Sequence, residues 1–262
     1  MTKFPVWFVS HGAPDIVLQD NATTQAWTAL AESLDSMPDI VLCISAHWDR
    51  GAPALAGVES AIQHDFGGFA PDLYERRWSL VDASEAVHWL GSQLGRRGVD
   101  VALVPRPLDH GVWVPLSRMW PQPSVPVVQL SLSSPLGAPW HLTLGRHLAP
   151  LRERGVLIIA SGGVVHNLRR LSWSGANADD EVHASPPQWA VKFVEAVETA
   201  LASGDEAALC SPWSMPGGRE SVPTLEHYLP LLVAYGAASP DVLIPVHRAW
   251  SHGSLGLHAY AA

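Results

Sequence analysis

The chain of 262 residues is 47% apolar and 16% charged, enough to bury one sizeable core and too apolar for a disordered segment. Its net charge of −9, with basic residues few and never more than a pair such as Arg76-Arg77 standing together, excludes a nucleic-acid partner, which requires clustered Lys and Arg. Two cysteines, Cys43 and Cys210, exclude a disulfide framework, and no apolar run reaches the ~20 residues of a membrane span.

In chain order, residues 4–10 are strand-like and break at His11-Gly12-Ala13-Pro14. This run is too short for a secretory leader and lacks a cleavage site, so a cytoplasmic, reduced protein is expected. Residues 24–34 carry Trp27, Leu30, Ala31 and Leu34 at the spacing of an amphipathic helix. Ile40–Asp49 (IVLCISAHWD) is a continuous apolar, β-branched run that ends in His47, Trp48 and Asp49. That pattern fits a strand buried on both faces of a parallel sheet, with Cys43 as a small apolar side chain inside it. Residues 50–80 lack periodicity and read as a functional loop around His64.

A helix is expected over 84–95 and a strand over 99–104, which leads to Asp109-His110-Gly111 and a short helix near 114–119. A strand over 125–132 and a helix over 140–152 follow, with Pro139 at its start. The strand 156–160 runs through Ser161-Gly162-Gly163 towards His166. Residues 172–185 read as a loop, 187–201 and 225–237 as helices, and 241–246 and 254–259 as closing strands. With no internal repeat or linker, this alternation predicts a single three-layer α/β domain over 1–262 with a mostly parallel central sheet.

Three strands thus empty into His11, His47 and His166, where open α/β sheets place their ligands. Three imidazoles on one rim point to a transition metal. In Pro223-Thr224-Leu225-Glu226-His227-Tyr228, Thr224 is the expected N-cap, and the helix N-terminus would hold His227 neutral, as a metal requires. Glu226 is either a ligand or a first-turn acid favoured by the helix dipole. His110, with Asp109 beside it, and His64 are further site candidates. His88, His141, His147 and His183 read as structural, and His247, His252 and His258 stay unassigned. There is no G-x-S-x-G elbow, G-x-G-x-x-G turn, P-loop or CxxC pair, and Ser161-Gly162-Gly163 is too ordinary a turn to support a serine nucleophile.

The stretches SHGAPDIVL, SAHWD, HDFGGFAPDLY, DHGVWVPL, ASGGVVHNLR and PTLEHYLPLL resemble, in order and spacing, the class III extradiol ring-cleavage dioxygenases, in particular their DOPA 4,5-dioxygenase-like branch. The resemblance covers essentially the whole chain. It implies that His11, His47 and His227 bind the metal and that His166 is the acid/base histidine, which closes on the metal when no substrate is bound. It also implies that His110 contacts substrate or oxygen, and it places His64 in a substrate-side loop. Ala13 and Gly163 replace a Ser and an Asn common among relatives and bear on which catechol is used.

The implied activity is opening of a DOPA- or caffeate-like catechol ring by O2 with Fe(II), whose open coordination positions accept both substrates. Zn(II) would suit the same imidazoles in purified protein. The alternatives are a zinc hydrolase using metal-bound hydroxide with His166 as base, and a non-catalytic relative that keeps the metal pocket.

Overall fold

The computed structural model describes residues 3–57, 59, 61–172 and 185–262. Among them, the strands are β1 (Val6–Ser10), β2 (Ile40–Asp49), β3 (Ala54–Ala56), β4 (Ala102–Leu103), β5 (Val127–Leu132), β6 (Val156–Gly162), β7 (Ile244–His247), β8 (Trp250–Ser251), β9 (Leu255–Gly256) and β10 (Ala259–Ala261). The helices of ten residues or more are α1 (Ala22–Glu32), α2 (Ser84–Gly95), α3 (His110–Met119), α4 (Gly137–Leu148), α5 (Gln188–Ser203) and α6 (Leu229–Ala238).

Eight strands form one sheet in the order β4-β3-β5-β2-β6-β1-β10-β7. The central neighbours β5, β2, β6 and β1 are mutually parallel, while β10 runs antiparallel beside β1 and β7 antiparallel beside β10. This is the α/β domain with a mostly parallel sheet that the strand and helix alternation predicts. Every residue of β1, β5 and β6 is buried, because helices cover both faces. Alternation within β1 divides the core. Val6 and Phe8 join residues of α2, α4, α5 and α6 on one face, and Trp7 and Val9 join α1 and α3 on the other.

Parallel pairing puts the carboxyl ends of β1, β2 and β6 along one edge of the sheet, in the register Ser10 with Gly162 and Ser45 with Ser161. Helix α1 begins where Asn21 accepts from the Thr23 and Thr24 amides while Thr24 Oγ1 accepts from the Asn21 amide, a reciprocal cap.

Several boundaries differ from the sequence expectation. The 99–104 strand shrinks to Ala102–Leu103, since β4 lies exposed at the sheet edge with β3 as its single neighbour. The 140–152 helix begins at Gly137 and tightens into a 3-10 turn over Ala149–Arg154. Helix α3 starts at His110 itself. Residues 173–184 of the expected loop, and with them His183, lie outside the described residues. Among the described residues, no helix is long and apolar enough to cross a membrane.

Helix α6 is buried along nearly its whole length and crosses α4 with the two backbones in contact. A Cβ on Gly145 would overlap the Val233 carbonyl, and one on Gly236 would overlap the Leu142 carbonyl. Gly145→Ala should therefore force the helices apart and cost about 1–3 kcal/mol or more, read as a lowered urea midpoint at unchanged m-value.

Candidate metal centre

At the carboxyl edge of the sheet, His11 leaves β1, His47 lies near the end of β2, and His227 arrives from the turn before α6. His47 Nε2 lies 2.9 Å from His11 Nε2 and 3.3 Å from His227 Nε2. One ligand atom from each of the three lies within 4.8 Å of the others. Two nitrogens bound at right angles to one ion, each about 2.1 Å from it, are separated by about 3.0 Å. The observed separations fit that geometry.

Hydrogen-bond accounting fixes two of the three tautomers. Ser161 Oγ has one proton, and it donates that proton to the Gly111 carbonyl. Toward His11 Nδ1, at 2.9 Å, Ser161 must therefore accept, so Nδ1 of His11 carries its proton and Nε2 presents a lone pair. The Gly111 carbonyl is available because Pro115, four residues on in α3, has no N–H to offer it. Glu226 Oε1, held at 2.7 Å by Thr224 Oγ1, likewise faces His227 Nδ1 at 3.3 Å and leaves the His227 Nε2 lone pair free. Lone pairs from two rings thus face His47 Nε2. A cation satisfies all three nitrogens at once, where a single proton satisfies fewer. The donor set fits a divalent transition metal.

Electrostatics keep these rings neutral. Burial, then the neighbouring His47, His227, His110 and His166, holds His11 well below the ordinary histidine value. Burial likewise depresses His227, and it brings His47 down to about 3, with His110 adding to the effect. His227 lies immediately before the N-cap of the following helix. Helix α6 begins at Leu229 with Tyr228 as its cap, so Thr224 is not an N-cap and instead braces Glu226.

The turn Ser161-Gly162-Gly163 organises the centre without supplying a ligand. The His11 amide donates to the Gly162 carbonyl at 3.2 Å, and the Gly163 amide donates to the His227 carbonyl at 2.8 Å. A Cβ on Gly162 would overlap that same His227 oxygen. Beneath β2, Ser45 Oγ accepts from the His47 amide at 3.2 Å and donates to Asp109 Oδ1 at 2.6 Å. Asp109 is fully buried, and its other oxygen receives Arg106 and Gln129. Asp109 therefore secures the floor of the site and leaves the orientation of His110 to another residue. Asp65 does that, accepting from the His110 amide and facing His110 Nδ1, each at 3.0 Å. Burial alone would raise the Asp65 carboxyl, and the bonds from His110 more than offset it, leaving it below its ordinary value.

His166 lies face to face on His227, the ring centroids 3.4 Å apart and the planes 7° from parallel. Burial lowers it to about 4, against the pull of the Glu226 carboxylate. Two further sets have the spacing to hold a metal, His47 with Asp65 and His110, and His166 with Glu226 and His227. His64 sits apart, in ring contact with Phe66, Tyr74 and Trp113. His141 accepts from the Ser133 amide and bonds the Gly137 carbonyl, as a structural histidine would.

Residues 6–260 match the family described as the catalytic LigB subunit of aromatic ring-opening dioxygenase. The chain belongs to this family. It is 37% identical over 251 residues to a 4,5-DOPA dioxygenase extradiol of Escherichia coli K12, covering 94% of this chain and 90% of that protein. A protein of the same name from Beta vulgaris is 32% identical over 263 residues, covering 97% and 94%. The crystal structure of an uncharacterized protein from Escherichia coli K12 superposes with a TM-score of 0.82 at 32% identity, covering 98% of this chain and 99% of that one. Membership in this LigB family and the three-imidazole cluster together support an extradiol-dioxygenase type of activity on a catechol-like substrate.

Proposed function

We propose that residues 1–262 form one catalytic unit, a non-haem Fe(II)-dependent dioxygenase that opens the ring of a catechol beside its hydroxyls using O2. The observation that carries this reading is the meeting of His11, His47 and His227 through neutral rings, two with fixed lone pairs, in a member of the LigB family. Two relatives named for DOPA make a DOPA- or caffeate-like catechol the first substrate class to try. Bound at these three nitrogens, Fe(II) supplies Lewis acidity and a path for electrons from the ring to dioxygen.

The remaining residues bind substrate and manage protons. His166, buried and neutral beside His227, accepts a catechol proton and returns it to product. His110 contacts the substrate on the opposite side, and the aromatic group around His64 borders the ring. Zn(II) fits the same three imidazoles, so metal analysis has to accompany every activity measurement.

The test is anaerobic loading with Fe(II), then DOPA or caffeate in air. Oxygen uptake equal to substrate consumed, with a coloured ring-fission product, is the expected result. Turnover with Zn(II) and no oxygen uptake would replace this reading with a hydrolase. His166→Ala should keep its metal and lose about 10²–10⁴-fold in kcat; near wild-type turnover would assign the proton to another group.

A further inference from the structure

The loop HDFGG, residues 64–68, is bound to the segment that opens α3 by a run of contacts. Leu108 N–H donates to the Ala61 carbonyl, Gln63 N–H to the Leu108 carbonyl, and Trp113 Nε1 to the Gln63 carbonyl. The run ends at Asp65, whose Oδ1 takes both the amide and the ring Nδ1 of His110. Phe66, next in the chain, meets the His110 ring edge-on at 5.6 Å. Helix α3 needs this support from outside. Its own N-cap residue, Asp109, makes no capping bond, because its carboxylate is committed to Ser45, Arg106 and Gln129. One oxygen of Asp65 thus caps the helix and orients its first side chain.

We infer that Asp65 is the positioning residue of the substrate-side histidine: it holds His110 as the Nδ1–H tautomer, leaving Nε2 as the acceptor for a catechol hydroxyl. A carboxylate oxygen accepts and never donates, so the proton between the two residues stays on His110 Nδ1. Nε2 is then the ring atom left for substrate. The His110 ring lies 3.8 Å, centroid to centroid, from the ring of His47, within reach of anything held at the three-imidazole cluster. Asp65 acts through His110 and touches no reacting atom. The substrate half of this inference rests on the catechol reading above; the tautomer half does not.

The test compares Asp65→Asn, whose amide oxygen still accepts both His110 bonds, with Asp65→Ala, which accepts neither. Three measurements are made on full-length protein. In 15N-detected imidazole spectra, wild type and Asp65→Asn should show His110 protonated at Nδ1, and Asp65→Ala a tautomer mixture. Metal content should be equal in all three, since His11, His47 and His227 are untouched. With the redox-inert Zn(II) form, 4-nitrocatechol affinity followed by its absorbance should fall about 10-fold or more in Asp65→Ala, the scale of one oriented hydrogen bond, and largely recover in Asp65→Asn.

An unchanged His110 spectrum together with unchanged nitrocatechol affinity in Asp65→Ala would overturn the inference. Loss of metal in that variant would overturn it differently, by making Asp65 a ligand in the set with His47 and His110. If wild type does not bind nitrocatechol, the catechol reading fails and the substrate role with it, while the imidazole spectra still decide whether Asp65 sets the tautomer.

Discussion

His47→Ala should leave a folded protein that no longer holds a metal tightly. His47 is the middle of the three proposed ligands, with its Nε2 facing both His11 and His227, so no pair of the remaining rings keeps the 2.9 and 3.3 Å spacings. Loss of an outer hydrogen-bond partner typically costs 10–100-fold in metal affinity, and loss of a ligand costs more. The apo fold has little reason to suffer, since His47 is an imidazole that burial already disfavours in its charged form. Thermal shift separates the two effects. Metal at 100 times its Kd stabilises wild type by about 2.7 kcal/mol, or roughly 5–10 °C in Tm for a chain of this size. The variant should show no shift. A full metal complement in both His47→Ala and His11→Ala would remove the proposed centre.

Gly162→Ala should weaken metal binding although it changes no ligand. The added methyl would overlap the His227 carbonyl oxygen and press on Pro230 Cγ at 3.1 Å. Strand β6 and the His227 turn must then separate, breaking the Gly163 amide bond to that carbonyl. We expect about a 10–100-fold loss of Zn(II) affinity in chelator competition, with a stability cost of about 1–3 kcal/mol. Wild-type affinity in this variant would show that His227 is positioned by something other than the glycine turn.

Much of this architecture was legible in the sequence, for a physical reason. Strands buried on both faces need unbroken apolar, β-branched runs, and IVLCISAHWD announces both the strand and the histidine at its exit. Edges and partners were harder. The 99–104 run has the composition of a strand, yet its neighbour offers pairing for only Ala102 and Leu103. PTLEHYLPLL has helical residues from Leu225, but His227 gives its carbonyl to Gly163, so the helical ladder waits until Leu229. Thr224 and Glu226 read locally as a cap and a first-turn acid, whereas their side chains bond each other and face His227.

The supports of the site were missed because their partners are remote. Ser161 lies 150 residues from His11, and Asp65 lies 45 from His110. Read locally, one is a residue in a plain turn and the other an acid in a loop. One clue was available. Pro115, four residues after Gly111, leaves a helical carbonyl without a donor, which implies a hydroxyl arriving from elsewhere.

The strand order has a consequence for how the proposed centre comes together. His11 follows β1, His47 lies on β2 and His227 lies just ahead of α6, and β6 sits between β1 and β2, so the first two rings meet across a strand that comes from later in the chain. Until β6 docks, a growing polypeptide therefore keeps His11 and His47 apart, without the close pair that the proposed centre requires. Binding of a metal at the proposed centre would thus report that β6 has taken its place between β1 and β2.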